Sequence, residues 1–348
     1  MIDNLFIVES PLQALVAVEL SLQFEGQTNG IIYRLSGKGR ERNDEQICRV
    51  VELGSWSFRE AINFGDTKRI IWHVNARKHI SVLEKRFGGD VDTIFFGEFR
   101  SQWMQLARLA IAPRKHVLMD DGAATVLAKT MYLDKGVYFP SEFVGIKFGI
   151  KRALKNVIYS RFYDIRQSQK VVELASAFFK VDSRYPLDFS FIKQKVGSIS
   201  LSEAPRSEAP TAFFFGSKYS EIGIVSQEYE IYFISKVLDY YRSLGLRSIY
   251  CAHRDESEFK LSLIKNLGHV DVVVPDLPAE IFLLERSVSV AEIGAAYSSV
   301  INNLAILFPE KPILSFRLRN DEVNPTYRSK VESVYGFYKA SGISVKDI

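Results

Sequence analysis

Short apolar runs recur along this chain, each followed by a polar turn and a helical stretch, and that alternation restricts the fold more than any other feature. An apolar run of this kind, bounded by turn residues, reads as a strand buried on both faces. Strands that alternate with helices build parallel sheets with helices packed on either side. In the first half, strands are expected at 5–8, 30–35, 69–74, 93–96, 116–119 and 175–181, and helices at 14–22, 77–87, 101–110 and 123–131. In the second half, strands are expected at 211–215, 248–252, 270–274, 288–291 and, as the last one, 312–315. Helices there fall at 229–244, 257–267, 277–285 and 300–307. An aromatic-rich terminal segment, 327–340, reads as a further helix that packs back across both halves.

Residues 198–210, SISLSEAPRSEAP, break the alternation and read as an inter-domain linker. The expected organisation is therefore a domain at 1–200, a linker at 198–210, a domain at 211–325 and a terminal helix within 326–348. The fold class is α/β: two Rossmann-like doubly wound parallel-sheet domains facing a cleft, the GT-B type of arrangement. A chain of 348 residues with 47% hydrophobic and 25% charged residues is long and apolar enough for two such cores.

Composition excludes several function classes. A formal net charge of +4 is too small to argue for nucleic acid. Cys48 and Cys251, the 2 cysteines, have neither metal-ligand spacing nor a disulfide framework, which fits a reducing compartment. The first residues lack a basic segment followed by an apolar one, so no signal peptide is expected. Nor does any apolar run approach the roughly 20 residues that span a bilayer. The expected location is cytoplasmic. Residues 145–161 carry Lys147, Lys151, Arg152, Lys155 and Arg161 between apolar residues. They form either a basic amphipathic element resting peripherally on the inner face of the membrane or a helix with one solvated basic face. Ser36 to Asp44 is a charged, glycine-bearing stretch, read as a solvated connection or a lid over substrate. Asp90-Val91-Asp92 precedes its strand and reads as a turn rather than a metal site.

Chemistry-bearing residues cluster where strands end. The run His116 to Met119 leads directly into Asp120-Asp121-Gly122. Adjacent aspartates on a turn point in different directions, so one faces a substrate while the other holds the loop. Glycine permits a positive φ or a close approach. Ser10-Pro11-Leu12-Gln13 follows the first strand, with Ser10 as helix cap and Pro11 as first helical residue. His253-Arg254 follows one strand of the second half, and Ser298-Ser299 precedes a helix. Such a helix start offers free backbone N–H groups to an anion.

Taken in order, these motifs resemble those of the bacterial sialyltransferases, in particular the lipooligosaccharide and capsule group. Ser10-Pro11-Leu12-Gln13 matches the family's Ser/Thr-Pro-Leu-Gln segment, and Asp120-Asp121-Gly122 its acidic-acidic-Gly motif. His253-Arg254 stands where the family has His-Pro, and Ser298-Ser299 matches its Ser-Ser/Thr motif. Arg254 in place of proline leaves that loop less rigid and puts the donor sugar in question. The resemblance implies a CMP-activated nonulosonic acid as donor (sialic, pseudaminic or legionaminic), a glycan or glycolipid acceptor, inversion, and no metal or cofactor. It implies Asp121 as general base and His253 as donor to the leaving phosphate, joined by Ser298, Ser299 and Arg254. Glu280 falls at the ribose-binding position, and Gly216 and Ser217 meet the nucleotide. Ser10, Gln13, Asp120 and Gly122 stand on the acceptor or donor-sugar side. Other readings are a CMP-Kdo transferase, a GT-B-like nucleotide-sugar epimerase, and a non-catalytic glycan-assembly subunit.

Overall fold

The computed structural model describes residues 1–65, 69–140, 143, 157–158, 160–179, 181–200, 209–286, 290–298 and 300–348. The chain divides into two compact units, Met1–Ile192 and Lys193–Ile348.

In the N-terminal unit the elements run β1 (Ile2–Val8), α1 (Pro11–Gln23), β2 (Asn29–Leu35), α2 (Glu41–Val51), β3 (Phe58–Asn63), α3 (Arg69–Phe87), β4 (Val91–Phe96), α4 (Gln102–Ile111), β5 (Lys115–Met119), α5 (Ala123–Met131), α6 (Ile165–Ser168), β6 (Val172–Ser176) and β7 (Tyr185–Pro186). The sheet order is β3-β2-β1-β4-β5-β6-β7, with every pair parallel. The central strands are buried on both faces. Leu5 and Ile7 of β1 join Ile94 and residues of α3 and α4 in one core cluster. Phe6, on the opposite face, stacks on Phe95 with ring centroids 4.6 Å apart.

The expected strand at 69–74 is a helix. Its β-branched and aromatic residues favour a strand locally, but Ala76, Ile80, Leu83 and Phe87 follow at helical spacing and are buried as one stripe, so packing overrides propensity. Two strands are missing from that expectation: β3, an edge strand with one buried residue and no apolar run, and β7, an edge strand of two residues. The charged stretch after β2 is not a free loop either. Residues from Glu41 are helical, and Asp44 accepts the N–H groups of Ser36 and Gly37 at 2.9 and 2.8 Å. The strand expected at 175–181 is β6, which ends at Ser176 because the Ser176 hydroxyl accepts the N–H groups of Phe178 and Phe179 and turns the chain.

A helix, α7 (Ser190–Ser200), carries the chain from the first unit into the second; Glu19 of α1 accepts the N–H of Ile192 at 2.9 Å. The expected linker therefore begins as helix, and residues 201–208 lie outside the described residues. Most of the basic segment 145–161 lies outside them too. Among the described residues, no helix is long and apolar enough to cross a membrane.

The second unit runs β8 (Thr211–Phe215), α8 (Gln227–Ser243), β9 (Arg247–Cys251), α9 (Glu258–Lys265), β10 (Asp271–Val273), α10 (Ala279–Leu284), β11 (Val290–Ala295), α11 (Val300–Leu307), β12 (Ile313–Phe316), α12 (Pro325–Ala340) and β13 (Ser344–Lys346). Its order is β10-β9-β8-β11-β12-β13, again wholly parallel. Phe213 meets Phe282 of α10 on one face, while Phe214 meets Phe233 of α8 and Phe316 of β12 on the other. The strand expected at 288–291 is β11, which extends to Ala295. β12 is not the last strand. The chain returns through α12 and adds β13 at the edge, a three-residue strand too short to show a period.

The terminal helix is fastened within the C-terminal unit. The fully buried Tyr335 hydroxyl accepts the Leu318 N–H at 2.9 Å and donates to the Phe316 carbonyl at 3.4 Å. Replacing Tyr335 by Phe strands a buried N–H, so Y335F is expected to lose about 1–3 kcal/mol of stability in chemical denaturation.

Candidate active site

A doubly wound sheet has a crevice at the C-terminal ends of its strands, where the strand order reverses. In the N-terminal unit that point lies between β1 and β4; in the C-terminal unit it lies between β8 and β11. Ser10 follows β1 and Asp121 follows β5, the neighbour of β4; Gly216 follows β8, His253 follows β9 and Ser298 follows β11.

In the N-terminal unit, Ser10 caps α1 by accepting the Gln13 N–H at 3.2 Å, and its hydroxyl donates to Asp121 Oδ1 at 3.3 Å. Gln13 is buried. Its Oε1 accepts the Glu9 N–H at 2.9 Å, and its side chain fills the place where a Cβ on Gly97 would stand, 2.2 Å away. Glu9 in turn accepts from Arg34 Nε at 2.8 Å and from Trp103 Nε1 at 2.7 Å. Thus the turns after β1, β4 and β5 are tied to one another through side chains.

The two aspartates separate as adjacent turn residues should. Asp120 faces inward, 1% exposed, and its Oδ2 accepts the Ala177 N–H at 2.7 Å, fastening β5 to the turn after β6. Asp121 faces Ser10, and the N–H of Asp121 donates to Thr125 Oγ1 at 2.6 Å. Gly122 follows with φ 61° and ψ −135°, a conformation essentially confined to glycine, and starts α5.

Both carboxyls are displaced toward neutrality. Burial pushes Asp120 up to about 7, with the charge of Asp121 adding to it against hydrogen bonds from Ala177, Ser176 and Phe178. Burial also pushes Asp121 up to about 7; the charges of Glu98 and Glu9 add to this, and hydrogen bonds from Gln13 and Ser10 oppose it. Because the folded values lie above the ordinary one, the protonated forms favour the native state. Their contribution to stability is complete in acid and fades as pH rises through about 7.

In the C-terminal unit, the turn after β8 begins with Gly216, whose N–H donates to the Cys251 carbonyl at 2.9 Å. A Cβ there would stand 2.1 Å from Tyr250 Oη and 2.5 Å from Glu256 Oε1, so no larger residue fits. The Ser217 carbonyl accepts from Lys260 Nζ at 2.6 Å. After β9, the His253 N–H donates to Glu256 Oε1 at 2.6 Å, and His253 Nδ1 accepts the Asp255 N–H at 3.1 Å. Nδ1 being an acceptor, the neutral ring carries its proton on Nε2 as a donor. Burial pushes His253 down to about 4, helped by Arg254, Lys218 and Lys260 and opposed by Asp255, so the ring is neutral at ordinary pH.

Glu280, near the start of α10, is buried and takes Asn303 Nδ2 on Oε1 at 2.7 Å. Burial raises its pKa, and the positive charge of Arg254 pulls the other way, so both groups belong to one electrostatic neighbourhood. The Ser298 carbonyl, in the turn between β11 and α11, accepts the Tyr338 hydroxyl of α12 at 2.6 Å. Ser299 lies outside the described residues. The Asp90–Asp92 stretch stands at the opposite, N-terminal end of β4, with Asp92 paired to Lys115 at 3.2 Å and Arg114 at 3.7 Å.

Sequence reasoning passed over Glu9, Glu98 and Lys260. Glu9 stands next to Ser10 and Glu98 lies two residues past the expected strand 93–96, and that nearness to a strand end was the available signal. Lys260 looks from sequence like one more helical surface lysine.

Two doubly wound parallel α/β units in one chain are the GT-B fold. The alpha-2,8-polysialyltransferase (POLYST) family model matches residues 4–317, and the chain belongs to that family, among the sialyltransferase-type glycosyltransferases. No curated protein matches the chain. Similar solved structures include the Methanocaldococcus jannaschii UDP-GlcNAc 2-epimerase in complex with UDP-GlcNAc and UDP, at 12% identity and TM-score 0.51 over 97% of this chain and 92% of that one. The Neisseria meningitidis UDP-GlcNAc 2-epimerase bound to UDP-GlcNAc is another, at 14% identity and TM-score 0.50 over 94% and 85%. A sialyltransferase from Photobacterium damsela matches at 10% identity and TM-score 0.48 over 99% and 81%. At such identities the likeness concerns the fold alone.

Carboxyl-carbon NMR tests the electrostatics around Asp121. Its resonance is expected to titrate with a midpoint near 7, and E98Q should move that midpoint downward, since a repelling charge is removed. A midpoint unchanged in E98Q would dissociate Glu98 from the site.

Proposed function

We propose that this protein transfers a nonulosonic acid, of the sialic, pseudaminic or legionaminic type, from its CMP donor to a hydroxyl of a surface glycan, with inversion and without a metal. The observation that carries the reading is Asp121: in a chain of the polysialyltransferase family, a strand-end carboxyl is held by Ser10 and pushed up to about 7. A carboxylate of that basicity is matched to proton abstraction near neutral pH.

In the proposed step, Asp121 takes the proton of the acceptor hydroxyl. The acceptor oxygen forms its bond to the anomeric carbon as the bond from that carbon to the phosphate oxygen breaks. The electron pair leaves with CMP, and attack from the face opposite the leaving group inverts the centre. His253 supplies its Nε2–H to the leaving phosphate as a neutral donor, an arrangement supported by the acceptor role of Nδ1. Ser298, in the turn before α11, and Ser299 add donors to the same phosphate. Arg254 contributes positive charge on the same side, and Glu280 takes the ribose hydroxyls with the oxygen that Asn303 does not occupy. Gly216 and Ser217 give the nucleotide a close approach to backbone, and Gln13 and Gly122 shape the sugar side. Because the phosphate charge is met by hydrogen-bond donors, the step needs no Lewis acid.

The epimerase alternative draws on fold likeness, which extends across many chemistries. The family match favours transfer to an acceptor.

Incubation with a panel of CMP-nonulosonic acids, with and without glycan acceptors, tests the reading through acceptor-dependent CMP release. D121N is expected to lower transfer by roughly 10²–10⁴-fold with CMP affinity retained, whereas H253A should weaken both. The wild-type rate should rise with pH through about 7, because the base must be unprotonated to act. Substantial transfer by D121N would reject Asp121 as the base.

A further inference from the structure

Directly beneath the turns after β8 and β9 lies an ion cluster that the reaction above does not use. The Lys260 side chain is completely buried, yet its ammonium has many partners. Nζ donates to Glu230 Oε1 at 2.6 Å, to the Ser217 carbonyl at 2.6 Å and to Glu221 Oε2 at 3.1 Å, and it pairs with Glu256 Oε2 at 3.2 Å. Burial pulls such an ammonium down, but Glu256, Glu230 and Glu221 together hold it above the ordinary lysine value, so it stays charged.

The far sides of these carboxylates grip backbone. Glu256 Oε1 accepts the His253 N–H at 2.6 Å, and Glu230 Oε2 accepts the Ser220 N–H at 2.9 Å. Glu221 Oε1 accepts the Ser257 N–H at 3.1 Å. Tyr250 Oη donates to Glu256 Oε2 at 2.8 Å, and Tyr250 together with Glu256 closes the space behind Gly216. One ammonium therefore connects, directly or through a single carboxylate, backbone groups in both strand-end turns. A buried ion cluster is a poor device for stability, since apolar residues of the same volume hold a fold as well or better. What it does supply is fixed direction, because each hydrogen bond has a required geometry.

We propose that Lys260 is a positioning residue of the nucleotide site, its ammonium holding the Gly216–Ser217 turn and the His253 turn in the relative placement that lets both address one phosphate. This role rests on the reading that the C-terminal unit takes CMP. It assigns Lys260 to the phosphate, because the His253 turn that it holds through Glu256 carries the ring offered to phosphate and neither turn is offered to the ribose.

The test compares CMP with cytidine, which lacks the phosphate, by titration calorimetry on the full chain. K260M, with its fold checked by circular dichroism, is expected to lose about tenfold or more in CMP affinity while cytidine affinity stays within about twofold. If the lone substitution leaves the glutamates uncompensated and the chain does not fold, K260M/E230Q removes one charge of each sign and carries the same expectation. Unchanged CMP affinity in a folded variant overturns the proposal. So does an equal loss for CMP and cytidine, which marks a merely structural role. A wild-type chain that binds no CMP would instead remove the nucleotide reading itself and this role with it.

Discussion

Parallel strand pairing is the constraint on which everything else in this protein depends. Neighbouring parallel strands need a crossover between them, and the crossovers place helices on both faces of each sheet. The faces are then sealed by apolar residues such as Leu5, Ile7, Phe213 and Phe214, and polar chemistry is left with the strand ends. All strands of a unit point the same way, so their C-terminal turns gather at one edge. Ser10, Gly97 and Asp121 come together for that reason, as do Gly216 and His253.

The key side chains of the two edges have different surroundings. The N-terminal unit collects Glu9, Glu98, Asp120 and Asp121, and burial together with the neighbouring negative charges makes Asp120 and Asp121 hold their protons more tightly than usual. The C-terminal unit collects His253, Arg254, Lys218 and Lys260, and the same physics drives the imidazole neutral. In the proposed reaction the base comes from the first environment and the donors to the anionic leaving group from the second. The difference lies in the immediate neighbours of Asp121 and His253, since the C-terminal turns also hold Asp255 and the three glutamates around Lys260.

Much of the strand and helix alternation was legible because buried parallel strands are plainly apolar and short. The failures were of other kinds. Residues 69–74 look like a strand until the stripe from Ala76 to Phe87 is included, and only then does one long helix make sense. β3 and β13 were missed because edge strands bury little and show little pattern. Of the candidate residues, Asp121, His253 and Ser10 stood out in the sequence through motif order. Glu98 and Lys260 were not, since a carboxylate or ammonium becomes consequential only through what it is buried against.

The chain by itself determined its class: the period of its apolar residues dictates parallel α/β units, and the residues at strand ends name the chemistry on offer. Tertiary structure alone decided how those residues act. Asp120 and Asp121 are chemically identical neighbours, and only the fold turns one into an anchor for the loop after β6 and the other toward Ser10. Likewise, only the fold takes Lys260 out of water and surrounds it with three glutamates, because burial and direction are properties of contacts between distant residues that no local pattern records.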